Sequence, residues 1–172
     1  CLTESAIDEG RRAEVMIVAT PNHSHFEIAK QSLNSGFHVV CDKPMTVSVY
    51  QAQELAELVE ENGLSFGLTY NYTGYPMVRH ARRMVRDGQL GEIRRVSCEY
   101  LQGWLAKDLS ENKQAAWRTD PKLAGPTGCF GDIGSHAENL VSYVSGLEMK
   151  EVCADLTRFV PGRRLDDDGT VL

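Results

Sequence analysis

Apolar positions in the first third of the chain fall into short unbroken runs separated by longer periodic stretches. Val15-Met16-Ile17-Val18-Ala19 is continuous and rich in β-branched residues, the pattern of a buried strand in a parallel sheet. It stops at Thr20-Pro21-Asn22, a turn signal. From His23 to Ser35 the apolar residues Phe26, Ala29 and Leu33 repeat at helical spacing, and Gly36 stands where a helix-terminating glycine belongs. Phe37 to Cys41 is a second strand-like run, followed at once by Asp42-Lys43-Pro44. Thr46 or Ser48 caps a second helix reaching about Asn62, with Ala52, Leu55, Ala56 and Val59 as its apolar stripe and Gly63 at its end. Leu64 to Thr69 is a third strand. This β-α-β-α-β alternation predicts a parallel, doubly wound α/β sheet. Right-handed crossovers would bring the carboxyl ends of its strands to one edge.

The rhythm changes after Tyr70. Pro76 to Asp87 is an amphipathic helix with Val78, Ala81, Met84 and Val85 on one side and Arg79, Arg82, Arg83 and Arg86 largely elsewhere, as on a solvated face. Gly88 and Gly91 bracket a turn. Ile93 to Leu101 alternates apolar with polar, predicting a half-exposed strand. A long polar loop is expected from about Lys107 to Gly128, then a helix over Ile133 to Ser145 and a strand over Val152 to Val160. This half reads as an α+β unit, its open sheet covered by helices on one side.

Composition adds limits. A chain of 172 residues, 42% hydrophobic and 24% charged, is globular and suits one domain or pieces of two. A formal charge of −6 argues against nucleic acid or an anionic membrane as main partner. No apolar run approaches the roughly 20 residues that cross a bilayer. Cys1 to Gly10 is polar and has no leader character, so a cytoplasmic protein is expected. Five scattered cysteines without a C-x-x-C pair read as reduced thiols filling small spaces rather than a disulfide framework. The start without Met and the stop at Gly169-Thr170-Val171-Leu172, which reads as a strand beginning, suggest a fragment.

Three segments carry candidate chemistry. Thr20-Pro21-Asn22 lies just past a strand's carboxyl end, where open α/β sheets bind ligands; it also reads as a plain turn into a helix. Asp42-Lys43-Pro44 occupies the equivalent point of the next strand. Its ammonium can hydrogen-bond a substrate hydroxyl and lower its pKa, unless Lys43 is simply a surface lysine. The third segment runs from Gly128 to His136 and holds Asp132 and His136 four residues apart. If Asp132 opens the helix that follows, that spacing puts carboxylate and imidazole on one face, and the carboxylate fixes the ring's tautomer. Histidine titrates near neutral pH and can take and return a proton. Asp132 as a helix cap with His136 packed in a core is the alternative. A metal pair is a third reading, but no further ligand cluster accompanies it.

The order of these motifs resembles the glucose-fructose oxidoreductase/inositol dehydrogenase (Gfo/Idh/MocA) family. The resemblance rests on Thr-Pro-Asn with His25 after one strand, Asp-Lys-Pro after the next, and Asp-x-Gly-x-His about ninety residues on. Asn71-Tyr72, Gly88-Gln89-Leu90-Gly91-Glu92-Ile93, and Ala116-Trp117-Arg118 with Gly125 and Gly128 also fit, so it covers nearly the whole chain. Two positions depart from the family pattern. Asp42 stands where Glu is usual, and Thr73-Gly74-Tyr75 where a basic residue is usual. The Gly-rich phosphate turn and the ribose-reading residue of such proteins are not in these residues, so NAD and NADP are not distinguished.

The resemblance implies part of a Rossmann-type dinucleotide-binding domain over 1–73 and part of an α+β substrate and oligomerisation domain over 74–172. It implies a dehydrogenase moving a hydride between a nicotinamide dinucleotide and a sugar or polyol carbon. His136 would be the general base, Asp132 would orient it or hold the substrate, and Lys43 would stabilise the developing alkoxide. Thr20, Pro21, Asn22, His25, Asp42, Lys43, Pro44, Asn71, Trp117 and Arg118 would meet the cofactor. Tyr72, Tyr100, Gln102 and Asn139, with Trp104, would meet the substrate. The same resemblance extends to regulators that sense the dinucleotide without turnover and to redox-assisted glycoside-cleaving enzymes. The intact protein would be a homo-dimer or homo-tetramer.

Overall fold

In the computed structural model the described residues are 13–107 and 111–172; the polar stretch Cys1 to Gly10 lies outside them. They form two compact units that meet in sequence at Thr69/Tyr70.

The first unit is a three-stranded parallel sheet of order β1 (Val15–Val18), β2 (His38–Cys41) and β3 (Phe66–Leu68). Val18 aligns with Cys41, and Cys41 with Leu68, so the three strands end at one level. The crossovers are α1 (His25–Asn34) and α2 (Val49–Asn62), which pack on each other. The repeat Phe26, Ala29, Leu33 is buried as its spacing predicts, joined by Val18, Val39, Cys41 and Leu55. Each fully buried Leu here contributes about 1.5–3 kcal/mol by leaving water. Ser48 caps α2, accepting from the Gln51 N–H at 3.3 Å, and Gly63 closes it at φ +61, a conformation that needs no Cβ. The stripe of α2 runs through Leu55, Leu58 and Val59 rather than Ala56, which is exposed. One more departure concerns β1. A continuous apolar run reads as covered on both faces, yet Ile17 is 71% exposed. Two right-handed crossovers between sequential strands put both helices on the same face, opposite the one that carries Ile17.

In the second unit α3 (Pro76–Arg86) packs on α6 (Ser135–Ser145). Arg82 stacks on the Tyr143 ring at 4.2 Å, while Arg79, Arg83 and Arg86 are exposed. The antiparallel pair β4 (Ala154–Thr157) and β5 (Asp168–Val171) is in register from Ala154↔Val171 to Thr157↔Asp168. The strand expected over Val152 to Val160 is cut short because the Asp167 carboxylate accepts the N–H groups of Phe159 and Val160, at 2.7 and 3.0 Å, that a ladder would use. Residues 93–101 join neither sheet, and beyond the half-buried Ile93 all of them are exposed. A strand exists only against a hydrogen-bonded neighbour, and none of the described segments supplies one. The polar loop expected over Lys107–Gly128 contains two short helices instead, α4 (Lys113–Thr119) and α5 (Pro121–Ala124). Their signals are local: Ala115 and Ala124 are buried, and Asp120 caps Pro121 by accepting from the Lys122 N–H at 3.0 Å. Cys41 is buried, whereas Cys98 and Cys153 are exposed, so only some of the free thiols fill small spaces.

Candidate functional site

The first unit gathers its candidates at the carboxyl edge of the sheet. The ladder continues one step past the strands: the Asp42 N–H donates to the Val18 carbonyl at 2.8 Å, and the Thr69 N–H to the Cys41 carbonyl at 3.1 Å. The Thr69 hydroxyl then donates to the Asp42 carboxylate at 2.6 Å. Asp42 therefore has both backbone and side chain fixed. Thr20, Pro21 and Asn22 turn into α1 through one short helical turn, Asn22–Ser24, with the Ser24 hydroxyl 2.7 Å from that of Thr20.

His25 is the first residue of α1 and is wholly buried. Its Nδ1 lies 2.8 Å from the Pro44 carbonyl and its Nε2 2.7 Å from the Thr20 carbonyl. Both partners only accept, and a neutral imidazole has one N–H to donate while an imidazolium has two. The ring thus ties the turn after β1 to the turn after β2, where the Lys43–Pro44 bond is cis. Both ring nitrogens are engaged by backbone, so His25 holds up the floor of this edge. Ser24 and Thr69, which sequence reasoning passed over, are part of the same bracing.

In the second unit His136 is 5% exposed, on the first turn of α6. The Tyr70 ring meets it edge-on at 5.5 Å and the Tyr72 ring lies at 4.5 Å. A hydrogen-bonded chain leads outward: the Tyr72 and Tyr100 hydroxyls are 2.8 Å apart, Gln102 donates to the Tyr100 hydroxyl at 3.4 Å, and Trp104 Nε1–H donates to Gln102 at 3.1 Å. The shared bond with Tyr100, helped by burial, pushes the Tyr72 phenol up to about 12, so it stays a neutral donor. Burial likewise raises the Tyr70 phenol.

Asp132 does not cap α6. It sits inside a π-helical turn, Phe130–Gly134, that runs into α6, and its N–H donates to the Gly128 carbonyl at 3.1 Å. Its carboxylate lies 3.7 Å from Arg118 Nε. The Arg118 guanidinium is stacked over the Trp117 ring at 4.2 Å and lies 5.7 Å from that of Trp104. Trp117 and Arg118 come from α4, which is why that helix matters to the site. Asn139 follows His136 by three positions on α6 and is half-buried; Asn71 opens a short helical turn, Asn71–Gly74.

Asp166, far along the chain, reaches the start of this helical run. Its carboxylate accepts from the Gly128 N–H at 2.6 Å, the Phe130 N–H at 2.8 Å and the Cys129 thiol at 3.3 Å. Burial first, then this bond, pushes the Cys129 thiol up to about 12. Nothing local marks Asp166 in the sequence, because it is one of three consecutive aspartates with the look of a solvated acidic turn.

A parallel sheet whose turns present short polar groups at its carboxyl edge, followed by a unit with an imidazole in an aromatic cage, defines a class of protein that the comparisons identify. Residues 3–70 match the oxidoreductase family's NAD-binding Rossmann fold, and residues 78–172 match the GFO/IDH/MocA C-terminal domain. The chain belongs to the Gfo/Idh/MocA oxidoreductase family, whose first domain binds NAD. It is 37% identical to the uncharacterized oxidoreductase YfiI of Bacillus subtilis, over 92% of this chain and 42% of that protein. It is 32% identical to the levoglucosan dehydrogenase of Pseudarthrobacter phenanthrenivorans, over 90% of this chain and 38% of that protein. Among solved structures it resembles an inositol dehydrogenase homolog from Azotobacter vinelandii complexed with NAD+, with a TM-score of 0.89, 35% identity, and coverage of 94% of this chain and 43% of that one. The chain thus spans less than half the length of these relatives.

The residues present fit part of a dinucleotide. Exposed Thr20, half-buried Asn22 and Lys43, and the braced Asp42 stand on fixed backbone at the edge where such ligands bind. They suit its nicotinamide and ribose end. A Gly-rich turn for its pyrophosphate is not among them.

Proposed function

We propose that this chain carries the reaction centre of an NAD-dependent dehydrogenase that oxidises a hydroxyl-bearing carbon of a sugar or polyol and reduces the matching carbonyl. The observation that carries the reading is the setting of His136. It is a buried imidazole one turn beyond Asp132, bordered by a run of hydrogen-bonding aromatic residues at the surface of its unit. Tyr72, Tyr100, Gln102, Trp104 and Arg118 combine flat apolar faces with donors and acceptors, the chemistry that binds a polyhydroxylated ring.

When bound, the nicotinamide supplies the carbon that accepts or returns the hydride. His136 accepts the proton of the reacting hydroxyl and gives it back in the reverse direction. Asp132 orients the imidazole. Lys43, in the role the family resemblance gives it, hydrogen-bonds the reacting oxygen and stabilises its negative charge. His25, through two backbone carbonyls, keeps the turns bearing Thr20 and Pro44 in place. The substrate class is supported by the names of two relatives, a levoglucosan dehydrogenase and an inositol dehydrogenase homolog. A cytoplasmic homo-dimer or homo-tetramer is the setting this reading implies. Free thiols and the exposed apolar Val96, Leu156 and Phe159 of the second unit support it.

The test is to give the intact protein NAD or NADP with a panel of inositols, aldoses and anhydrosugars and to follow absorbance of the reduced dinucleotide. Substrate-dependent reduction is expected. Dinucleotide binding without reduction of any kind would point to a sensor. Release of nitrophenol from a nitrophenyl glycoside with no net reduction would point to glycoside cleavage.

A further inference from the structure

We propose that Asp166 is a positioning residue for the proton-transfer pair: its carboxylate, in the loop before β5, fixes the mouth of the helical run that carries Asp132 and His136.

The first turn of any helix leaves backbone N–H groups without intrahelical partners. Here they are taken by one distant residue. Asp166 Oδ1 accepts from Gly128 N–H at 2.6 Å, Oδ2 from Phe130 N–H at 2.8 Å, and the Asp166 backbone carbonyl from Cys129 N–H at 3.0 Å. The Cys129 thiol adds a fourth contact, to Oδ2 at 3.3 Å. Three consecutive residues are therefore held by both the side chain and the backbone of Asp166. A carboxylate at this end of a helix is also favoured by the helix dipole.

Packing at the same joint is close. A Cβ on Gly128 would lie 2.2 Å from the Asp166 carbonyl oxygen and 2.9 Å from Leu165 Cβ, and Leu165 is itself buried. A Cβ on Gly131 would meet Thr127 Oγ1 at 2.5 Å, and one on Gly134 the Phe130 ring at 2.7 Å. The mouth has no room to shift without moving the 165–166 loop.

The consequence for the pair follows from the helix type. Asp132 belongs to the π-helical turn and His136 to the α-helix. In an uninterrupted α-helix a spacing of four fixes the relative direction of two side chains. Across a π-turn that direction depends on the turn being kept, and a π-turn is a strained, uncommon arrangement. Gly128 both donates to Asp166 and accepts the Asp132 N–H at 3.1 Å, so the Asp166 contact is one hydrogen bond removed from the catalytic carboxylate's own backbone. Asp166 reaches no reacting atom in this account and acts only by holding others.

The inference rests on the proposed role of Asp132 and His136, and the experiment separates the two. In the intact protein with NAD and its best substrate, Asp166→Asn, Asp166→Ala and His136→Gln are compared. Misplacing a reacting group by about an ångström costs on the order of a hundredfold in rate. The expected result is a kcat lowered about tenfold in Asp166→Asn, which keeps one accepting oxygen, and about a hundredfold in Asp166→Ala. The Kd for NADH should stay within about twofold, and the deuterium isotope effect on kcat should rise as hydride transfer becomes limiting. If Asp166→Ala does not fold, Asp166→Asn and Cys129→Ala carry the test, with a smaller loss expected in the latter. Wild-type kcat in folded Asp166→Asn and Asp166→Ala, with His136→Gln inactive, would overturn the positioning role alone. So would a loss that only tracks the folded fraction. Wild-type turnover in His136→Gln would overturn both assignments.

Discussion

The two units hold their site residues by different means. In the first, the turns bearing Thr20, Asp42 and Lys43 grow directly out of a parallel ladder over a buried core of Val18, Phe26, Ala29, Leu33, Val39 and Leu55. One buried histidine then ties two of those turns together. In the second, few residues are fully buried, chiefly Ala115, Ala124, His136 and Leu165. There, side chains do the holding: an aromatic cage, a stacked arginine and a carboxylate at a helix mouth. A site braced by a core inherits the core's stability. A site braced by individual side chains is exposed to the loss of any one of them.

That contrast can be sharpened by substitution in the intact protein. The largest effects are expected at the chemistry. Lys43→Ala should lower kcat by about a hundred- to a thousandfold, as does losing an oxyanion donor, read as the initial rate at saturating NAD and substrate. His136→Gln should cost about a hundred- to ten-thousandfold, the usual worth of a general base. An undiminished rate in either variant removes that residue from the mechanism. Next comes the core of the first unit. Leu55, wholly buried, should cost about 2–5 kcal/mol of stability as Leu55→Ala, read by denaturant melting, with kcat per folded molecule unchanged.

His25→Phe is expected to fall between these kinds of effect. It removes the ring nitrogens that lie against the Thr20 and Pro44 carbonyls, and a lost hydrogen bond to a part-buried carbonyl costs about 1–3 kcal/mol. It should weaken NAD binding as well as lower the melting temperature, because it loosens the turns themselves. A lower Tm with unchanged NAD affinity would mean the clamp serves the fold alone. The smallest effect concerns the thiols. Burial pushes Cys41 and Cys129 up to about 12. Their thiolate fraction at pH 8 is then about one in ten thousand, and reactivity follows the thiolate. A raised pKa keeps the proton on until pH approaches that value. Both should resist alkylation at pH 8 until the protein is denatured, as mass spectrometry of labelled peptides would show.

The first unit was largely legible in the sequence, since Phe26, Ala29 and Leu33 at helical spacing and two apolar runs ending in turns are local signals of a βαβ pattern. Ile17 was misjudged because an apolar run does not reveal which face is covered. The second unit was harder for a physical reason: its decisive contacts are long in sequence. Asp166 meets Gly128 across 38 positions, and Tyr72 meets Tyr100 across 28. No periodicity encodes such pairs. Asp132 and His136 stood out by spacing, but the π-turn between Phe130 and Gly134 depends on glycines packed against Thr127, Phe130 and the 165–166 loop. The helices α4 and α5 were hidden by their shortness and the polar residues around them.

The most direct test of the central claim is to follow the hydride itself. The intact protein would be given NAD+ and an inositol or anhydrosugar carrying deuterium on its carbons, and the dinucleotide product analysed by mass spectrometry and NMR. Direct transfer predicts one deuterium on C4 of the reduced nicotinamide. Turnover that yields reduced dinucleotide without the label, or sugar product with the dinucleotide never reduced, would contradict it.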